Sequence, residues 1–169
     1  MEAYEAIISR RSIRKYIDKT IPSVYVEKLL KAGMAAPSAG NQQPWHFIVI
    51  NERSILDEIP NFHPYSQMLN EAPLAILVCA DKRLETHTGC WVEDCSAATQ
   101  NILLAAHALG MGAVWLGIYL REERTNAIKK LLRLPVNITP LSLIAVGFPA
   151  ERKPPANRYK ENRIHYNEW

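Results

Sequence analysis

The chain has 169 residues, 48% hydrophobic and 22% charged, enough for one compact domain over 1–169 and too short for two ordinary ones. Lys and Arg total 20 against 17 for Asp and Glu, and the net charge of +3 is too small to mark a nucleic-acid binder by charge alone. No apolar run approaches the ~20 residues of a membrane span, and Met1-Glu-Ala-Tyr-Glu is acidic where a secretion signal is basic, so a soluble cytoplasmic protein is expected.

Periodicity and Gly/Pro punctuation supply the elements in chain order. Glu2 to Arg10 reads as a short helix. A second follows Pro22-Ser23, with Ser23 as cap and Val26, Leu29, Leu30 and Gly33 on one face, ending before Pro37. Phe47–Ile50 and Leu74–Cys79 are short branched apolar runs typical of buried strands, with a short helix over Arg53–Ile59 between them. Trp91 to Leu109 contains no Gly or Pro and precedes Gly110, which predicts the longest helix, closed by a left-handed residue. Its small residues Cys95–Thr99 and Ala105-Ala106 suit close approach of another helix at the centre of the structure. Ala113–Ile118 and Leu141–Val146 read as strands, with a helix over Glu122–Leu132. The class is therefore mixed α and β, α+β in arrangement. The last 22 residues, Phe148–Trp169, carry Pro149, Pro154 and Pro155, too broken for a helix. Ile164, Tyr166 and Trp169 give them apolar weight, so an arm packed on a neighbouring subunit, and hence a dimer, is expected.

Three cysteines, Cys79, Cys90 and Cys95, are an odd number in a core-sized chain and read as reduced thiols. Arg10-Arg11-Ser12-Ile13-Arg14-Lys15 places four cations and a hydroxyl within six residues, the chemistry of an anion site or of a solvated basic face. Ala36 to Trp45 joins a helix to a strand through small residues and the amides Asn41, Gln42 and Gln43. It suits the donor and acceptor edge of a flat heterocycle such as a flavin pyrimidine, or a plain proline-bounded turn. Gly110-Met-Gly112 ends a helix and lacks a third glycine, which excludes a Rossmann site. His87, Cys90 and Cys95 lack a fourth ligand at zinc-like spacing. Asn137-Ile-Thr139 is a glycosylation acceptor by pattern only. His46 and His107 are possible proton donors, each with a plain structural reading.

These stretches together resemble the FMN-dependent nitroreductase family, in its shorter members. The residues that carry the resemblance are Arg10-Arg11-Ser12-Ile13-Arg14, Pro37 to Phe47, Trp91 to Ala106, Gly112 to Tyr119 and Gly147-Phe-Pro-Ala150. The resemblance implies a central mixed sheet flanked by helices, and a homodimer with the C-terminal arm, about 148–169, exchanged onto the partner. It also implies two FMN molecules at the interface. Arg10, Arg11, Ser12 and Arg14 would bind FMN from one subunit, Arg10 and Ser12 nearer the phosphate and ribityl chain and Arg14 at the pyrimidine end, where it stabilises the reduced ring. Pro37, Ser38, Ala39, Asn41 and Gln43 would come from the other subunit. Trp115, Leu116 and Gly117 would back the ring, and Arg158 matches a phosphate-binding position. Ala39 and Ala156 stand where longer relatives carry a hydroxyl and a second cation, a loss for which Lys153 is a candidate replacement. Only a short stretch, about Glu85–Cys90, replaces the helices that shape the substrate pocket in larger relatives.

The implied function is hydride transfer from NAD(P)H through flavin N5 to a nitroaromatic, a quinone or another flat acceptor by a ping-pong mechanism, with no catalytic acid or nucleophile from the protein. Alternatives are a nitroreductase-fold enzyme that dehalogenates reductively or fragments flavin, and an FMN storage module. No nucleic-acid, membrane or metal partner is expected.

Overall fold

The computed structural model describes residues 1–169. The elements are α1 (Ala3–Ser9), α2 (Ser23–Met34), β1 (Trp45–Ile50), α3 (Arg53–Glu58), β2 (Leu74–Asp81), α4 (Trp91–Ala108), β3 (Gly112–Gly117), α5 (Glu122–Leu131) and β4 (Ile138–Gly147), joined by short 3-10 turns. The four strands form one sheet in the order β1-β2-β4-β3, every strand pair antiparallel. The parallel component is a single bridge from Ser12 to Ala113 outside the named strands.

Successive side chains of a strand point to opposite faces, and β2 shows why its sequence is apolar throughout. Leu74, Ile76, Val78 and Ala80 enter one core with Leu29 of α2 and Cys95, Ala98, Ile102 and Ala106 of α4. Ala75, Leu77 and Cys79 enter a second core on the other face, with Leu56, Ile59, Leu69 and Ile128. Both faces are covered, so all eight residues of β2 are buried and no polar alternation is left to read. The long helix α4 lies against the sheet with α2 packed on it. Its small residues permit that approach, and Asn101 donates to the Ala32 carbonyl at 3.1 Å across the helix pair.

Two local expectations change. Ser23 is the first residue of α2 and caps nothing; Pro22 occupies the cap, where its fixed φ starts the helix without a side-chain bond. The tail divides. Phe148 to Pro154 lies on its own chain, through Ile17 N–H to the Phe148 carbonyl at 3.0 Å, Ala150 N–H to the Lys15 carbonyl at 2.9 Å and the Arg11 guanidinium on the Pro154 carbonyl at 3.0 Å. The residues beyond make no hydrogen bond to the body, and Tyr159, Tyr166 and Trp169 are exposed. Gly110 closes α4 with φ +78°. Cys79 and Cys95 are buried and Cys90 half-buried; burial pushes the Cys79 and Cys95 thiols up to about 12, which keeps them protonated and inert. No helix is long and apolar enough to cross a membrane.

Candidate functional site

The basic segment is drawn onto the sheet edge. Ile13 N–H donates to the Ala113 carbonyl at 3.1 Å, and a Cβ on Gly112 would stand 2.7 Å from Ile13, so glycine is what allows the approach. Tyr16, buried with its hydroxyl donating to the Ile13 carbonyl at 2.7 Å, fixes the turn from inside. Arg14 N–H donates to Glu151 Oε1 at 2.6 Å, which holds the backbone and leaves the side chain exposed. Arg10 is half-buried, and burial together with the charges of Arg158 and Arg11 lowers its pKa. The ion pairs of the chain are Lys31–Glu27, Arg53–Asp57, Lys82–Glu85, Arg83–Asp81 and Lys153–Glu151. Arg10 and Arg158 lie near enough for their charges to act on each other, and neither they nor the Arg14 guanidinium is in an ion pair. Arg11 differs: its guanidinium is committed to the carbonyls of Ile8, Arg10 and Pro154 at 2.7 to 3.0 Å.

Beside Arg14 lies an open cleft of about 470 Å³, lined by Trp115, Leu116 and Gly117 and by His63, Tyr65 and Gln67 among others. Trp115 is 37% exposed and gives the cleft an aromatic wall, whereas Leu116 is buried and its side chain belongs to the core; only its backbone is available to a ligand. The opposite wall is absent from the sequence reading. His63 is 1% exposed, accepts the Tyr65 N–H at Nδ1 and so places its proton on Nε2, 3.1 Å from the Gly117 carbonyl. Burial, then the Arg124 charge, lowers the His63 pKa. Arg124 donates to the same Gly117 carbonyl at 3.0 Å and lies 5.4 Å from the Tyr65 ring centroid. The signal was present in Phe62-His63-Pro64-Tyr65, a His and an aromatic in a proline-bounded connection, but nothing in spacing ties it to β3.

The amide segment forms a second, separate group. Asp94, buried on α4, accepts the Ala39 N–H at 2.9 Å and the Gln42 side-chain N–H at 2.6 Å, and Gln42 in turn accepts from Thr86 and His87 N–H. The Ser38 hydroxyl oxygen accepts the Gln43 N–H at 3.1 Å, and the Gln43 amide donates to Asn41 at 2.8 Å. Asn41 and Gln43 stand at φ +56° and +46°, an uncommon backbone for residues with a Cβ and a cost that the surrounding bonds sustain. Ser12 meets Ala113, in register with Val146, while Pro44 leads into Trp45 on the opposite edge strand, whose row runs through Ala80 to Thr139. Seven residues along β4 and four strand spacings separate those points, roughly 30 Å. The structure thus brings Arg10, Ser12, Arg14, Trp115 and Gly117 to one edge and leaves Pro37, Ser38, Ala39, Asn41 and Gln43 at the other. His46 is exposed on β1. His107 holds its Nε2 2.7 Å from the Ser9 hydroxyl, and neither histidine lines the Trp115 cleft.

A model of the nitroreductase family matches residues 7–64 and 60–148. A relative from Methanothermobacter thermautotrophicus named "Putative NADH dehydrogenase/NAD(P)H nitroreductase" is 48% identical, over 100% of this chain and 88% of the relative. A crystal structure under the same name, from Parabacteroides distasonis, is 42% identical with a TM-score of 0.95, covering 99% of this chain and 98% of that one. An FMN-dependent nitroreductase of Clostridium difficile superposes with a TM-score of 0.91 at 30% identity, covering 98% of this chain and 99% of that one.

Proposed function

The chain belongs to the nitroreductase family, and from that premise we propose that it is an NAD(P)H-dependent flavin oxidoreductase that holds FMN between two copies of itself. The donor set fits the cofactor. Arg10, Arg14 and Arg158 are cations without a carboxylate partner, and Ser12 adds a hydroxyl; a phosphate gains charge-assisted hydrogen bonds from such a set, roughly 1.5–3 kcal/mol each. Arg10, Ser12 and Arg158 would hold the phosphate and ribityl end. Trp115 and the backbone of Leu116 and Gly117 would back the ring, with Gln67 at its edge. Arg14, on the same cleft, would set a positive charge at the pyrimidine end, where charge develops on the ring as it is reduced.

The chemistry FMN supplies when bound is hydride transfer at N5, from NAD(P)H and then to a flat acceptor such as a nitroaromatic or quinone in ping-pong order. The protein's part is orientation. The Gly117 carbonyl, held by both His63 and Arg124, fixes the end of β3 under the ring. His63 is not poised as a general acid, since its one proton is given to that carbonyl, and on this reading protons come from solvent.

The observation that carries the dimer is the separation of the two groups. Trp115 is in register with Ile144 and Trp45 with Thr139 through Ala80, five residues and three strand spacings apart or roughly 20–25 Å; three fused rings are shorter than that, so Pro37, Ser38, Ala39, Asn41 and Gln43 would reach a ring bound at Trp115 only from a second copy. The test is a visible spectrum of the purified protein followed by anaerobic NADH or NADPH. A yellow protein bleached within seconds is the expected result. A colourless protein that takes up no FMN overturns the reading, and a yellow one that stays oxidised moves it to flavin storage.

A further inference from the structure

We propose that Arg11 is a positioning residue: its guanidinium clamps the C-terminal tail at Pro154 and so keeps Arg158 beside Arg10. The role of that pairing rests on the flavin site proposed above; the clamp itself rests on contacts within the chain.

After β4 the tail runs back along residues 10–17 in an antiparallel course. Ile17 N–H meets the Phe148 carbonyl, Tyr16 bridges to Pro149, Ala150 N–H meets the Lys15 carbonyl, Glu151 takes the Arg14 N–H, and Arg11 Nε reaches the Pro154 carbonyl at 3.0 Å. Pro154 and Pro155 have no N–H to continue the ladder. Beyond them the tail's hydrogen bonds are internal to it, as in Arg163 to Lys160 and Glu168 to Tyr166. Arg11 is therefore the last tie to the body before Arg158. Its other donor contacts, to the Ile8 and Arg10 carbonyls at 2.9 and 2.7 Å, anchor the clamp to the end of α1, next to Arg10.

Three carbonyls met by one planar fork is a geometry lysine cannot supply. The commitment takes Nε and Nη1 out of the set of free donors, so Arg11 brings its charge near the site with only Nη2 unpartnered. With the clamp, four residues separate Arg158 from an anchor, a reach of about 13 Å; without it the anchor falls back to Glu151 and the reach rises to about 23 Å. The effective concentration of the Arg158 guanidinium at Arg10 then drops roughly two- to fivefold.

The experiment is a double-mutant cycle on FMN affinity, read by quenching of flavin fluorescence, with Arg11→Ala, Arg11→Lys, Arg158→Ala and the Arg11→Ala/Arg158→Ala pair. Arg11→Ala and Arg11→Lys should each weaken FMN roughly two- to fivefold, and Arg158→Ala about tenfold or more. Adding Arg11→Ala to Arg158→Ala should weaken it no further, because the clamp acts only through Arg158. Additive losses would make Arg11 a direct phosphate ligand, and a wild-type Arg11→Lys would leave it only a charge; either overturns the proposal. Trypsin cleavage after Arg152 in the flavin-free protein supplies a readout independent of the cofactor. The cut between Arg152 and Lys153, scored by mass apart from the cuts after Arg158, Lys160 and Arg163 in the exposed tail, should be faster in both Arg11 variants, and an unchanged rate rejects the clamp. Failure of every protein, wild type included, to bind FMN would instead reject the flavin reading and leave the proteolysis to decide the clamp.

Discussion

Arg14 and His63 show how differently two residues of one cleft act. Arg14 has its backbone N–H tied to Glu151 and its guanidinium free, and the function proposed above gives that guanidinium the role of a charge at the ring. Arg14→Ala should slow reduction of bound flavin by NAD(P)H about tenfold or more, the worth of a charge-assisted contact, while FMN affinity falls less; rapid-mixing absorbance against an FMN titration separates the two, and equal losses would remove the electronic role. His63 acts on the fold. Its pKa is lowered by burial and the Arg124 charge, so the unfolded chain binds the proton first. The stability that neutral His63 contributes is complete above its ordinary value near 6.5 and is lost as pH falls through the lower folded value. Urea midpoints should therefore decline from pH 7.5 to 5 in the wild type and decline less in His63→Gln, which keeps a donor for the Gly117 carbonyl. A slope unchanged by the substitution would assign the acid sensitivity elsewhere, with His107, whose pKa is also lowered, the next group to test.

Among elements, β3 is the one on which both a structural and a binding surface depend. Its start is a glycine because Ile13 lies where a Cβ would go, at 2.7 Å, and its end is fixed by two donors on the Gly117 carbonyl. Gly112→Ala should force the Arg10–Arg14 segment off the strand, at a cost of about 1–3 kcal/mol as overpacking, with FMN affinity falling in parallel; chemical denaturation and an FMN titration check both. Loss of stability with full FMN affinity would mean that the segment repositions freely. Element existence was legible in the sequence wherever a periodicity or a punctuating Gly or Pro was strong, as in α4 and its left-handed Gly110. Boundaries were less so: β4 begins at Ile138 and not at Leu141, because antiparallel pairing with Asp81 and Ala80 extends the ladder past the apolar run. The Ser23 cap failed for a related reason, since a capping side chain and a proline both start helices and spacing cannot choose between them.

For the whole molecule, the function proposed above makes two half-sites of the groups on opposite edges of the sheet. If FMN lies between copies, Arg10→Ala and Asn41→Asp disable different halves of the same site. Mixed and refolded together, the two inactive proteins should regain about one working site per heterodimer, measured as NADH-dependent flavin reduction. No recovery would place both groups on one chain's flavin or require a different partner. Phe148–Pro154 lies on its own body and Arg158 near its own Arg10, so the exposed Tyr159, Tyr166 and Trp169 form the part of the tail proposed to meet a second copy.

The sequence by itself determined the class, the order of elements and the family, because those follow from local periodicity and from motifs held in fixed order along the chain. It also named most of the cations of the site. Only the tertiary structure decided which residues meet. His63, Tyr65 and Arg124 join Trp115 and Arg14 around one cleft although they are far apart in sequence, and Arg11, one position from Arg10 and equally charged, turns to backbone carbonyls. Neighbours in a chain share a charge and a spacing, but whether a donor is free depends on which carbonyls the fold brings within reach, and that is settled by packing across the sheet edge.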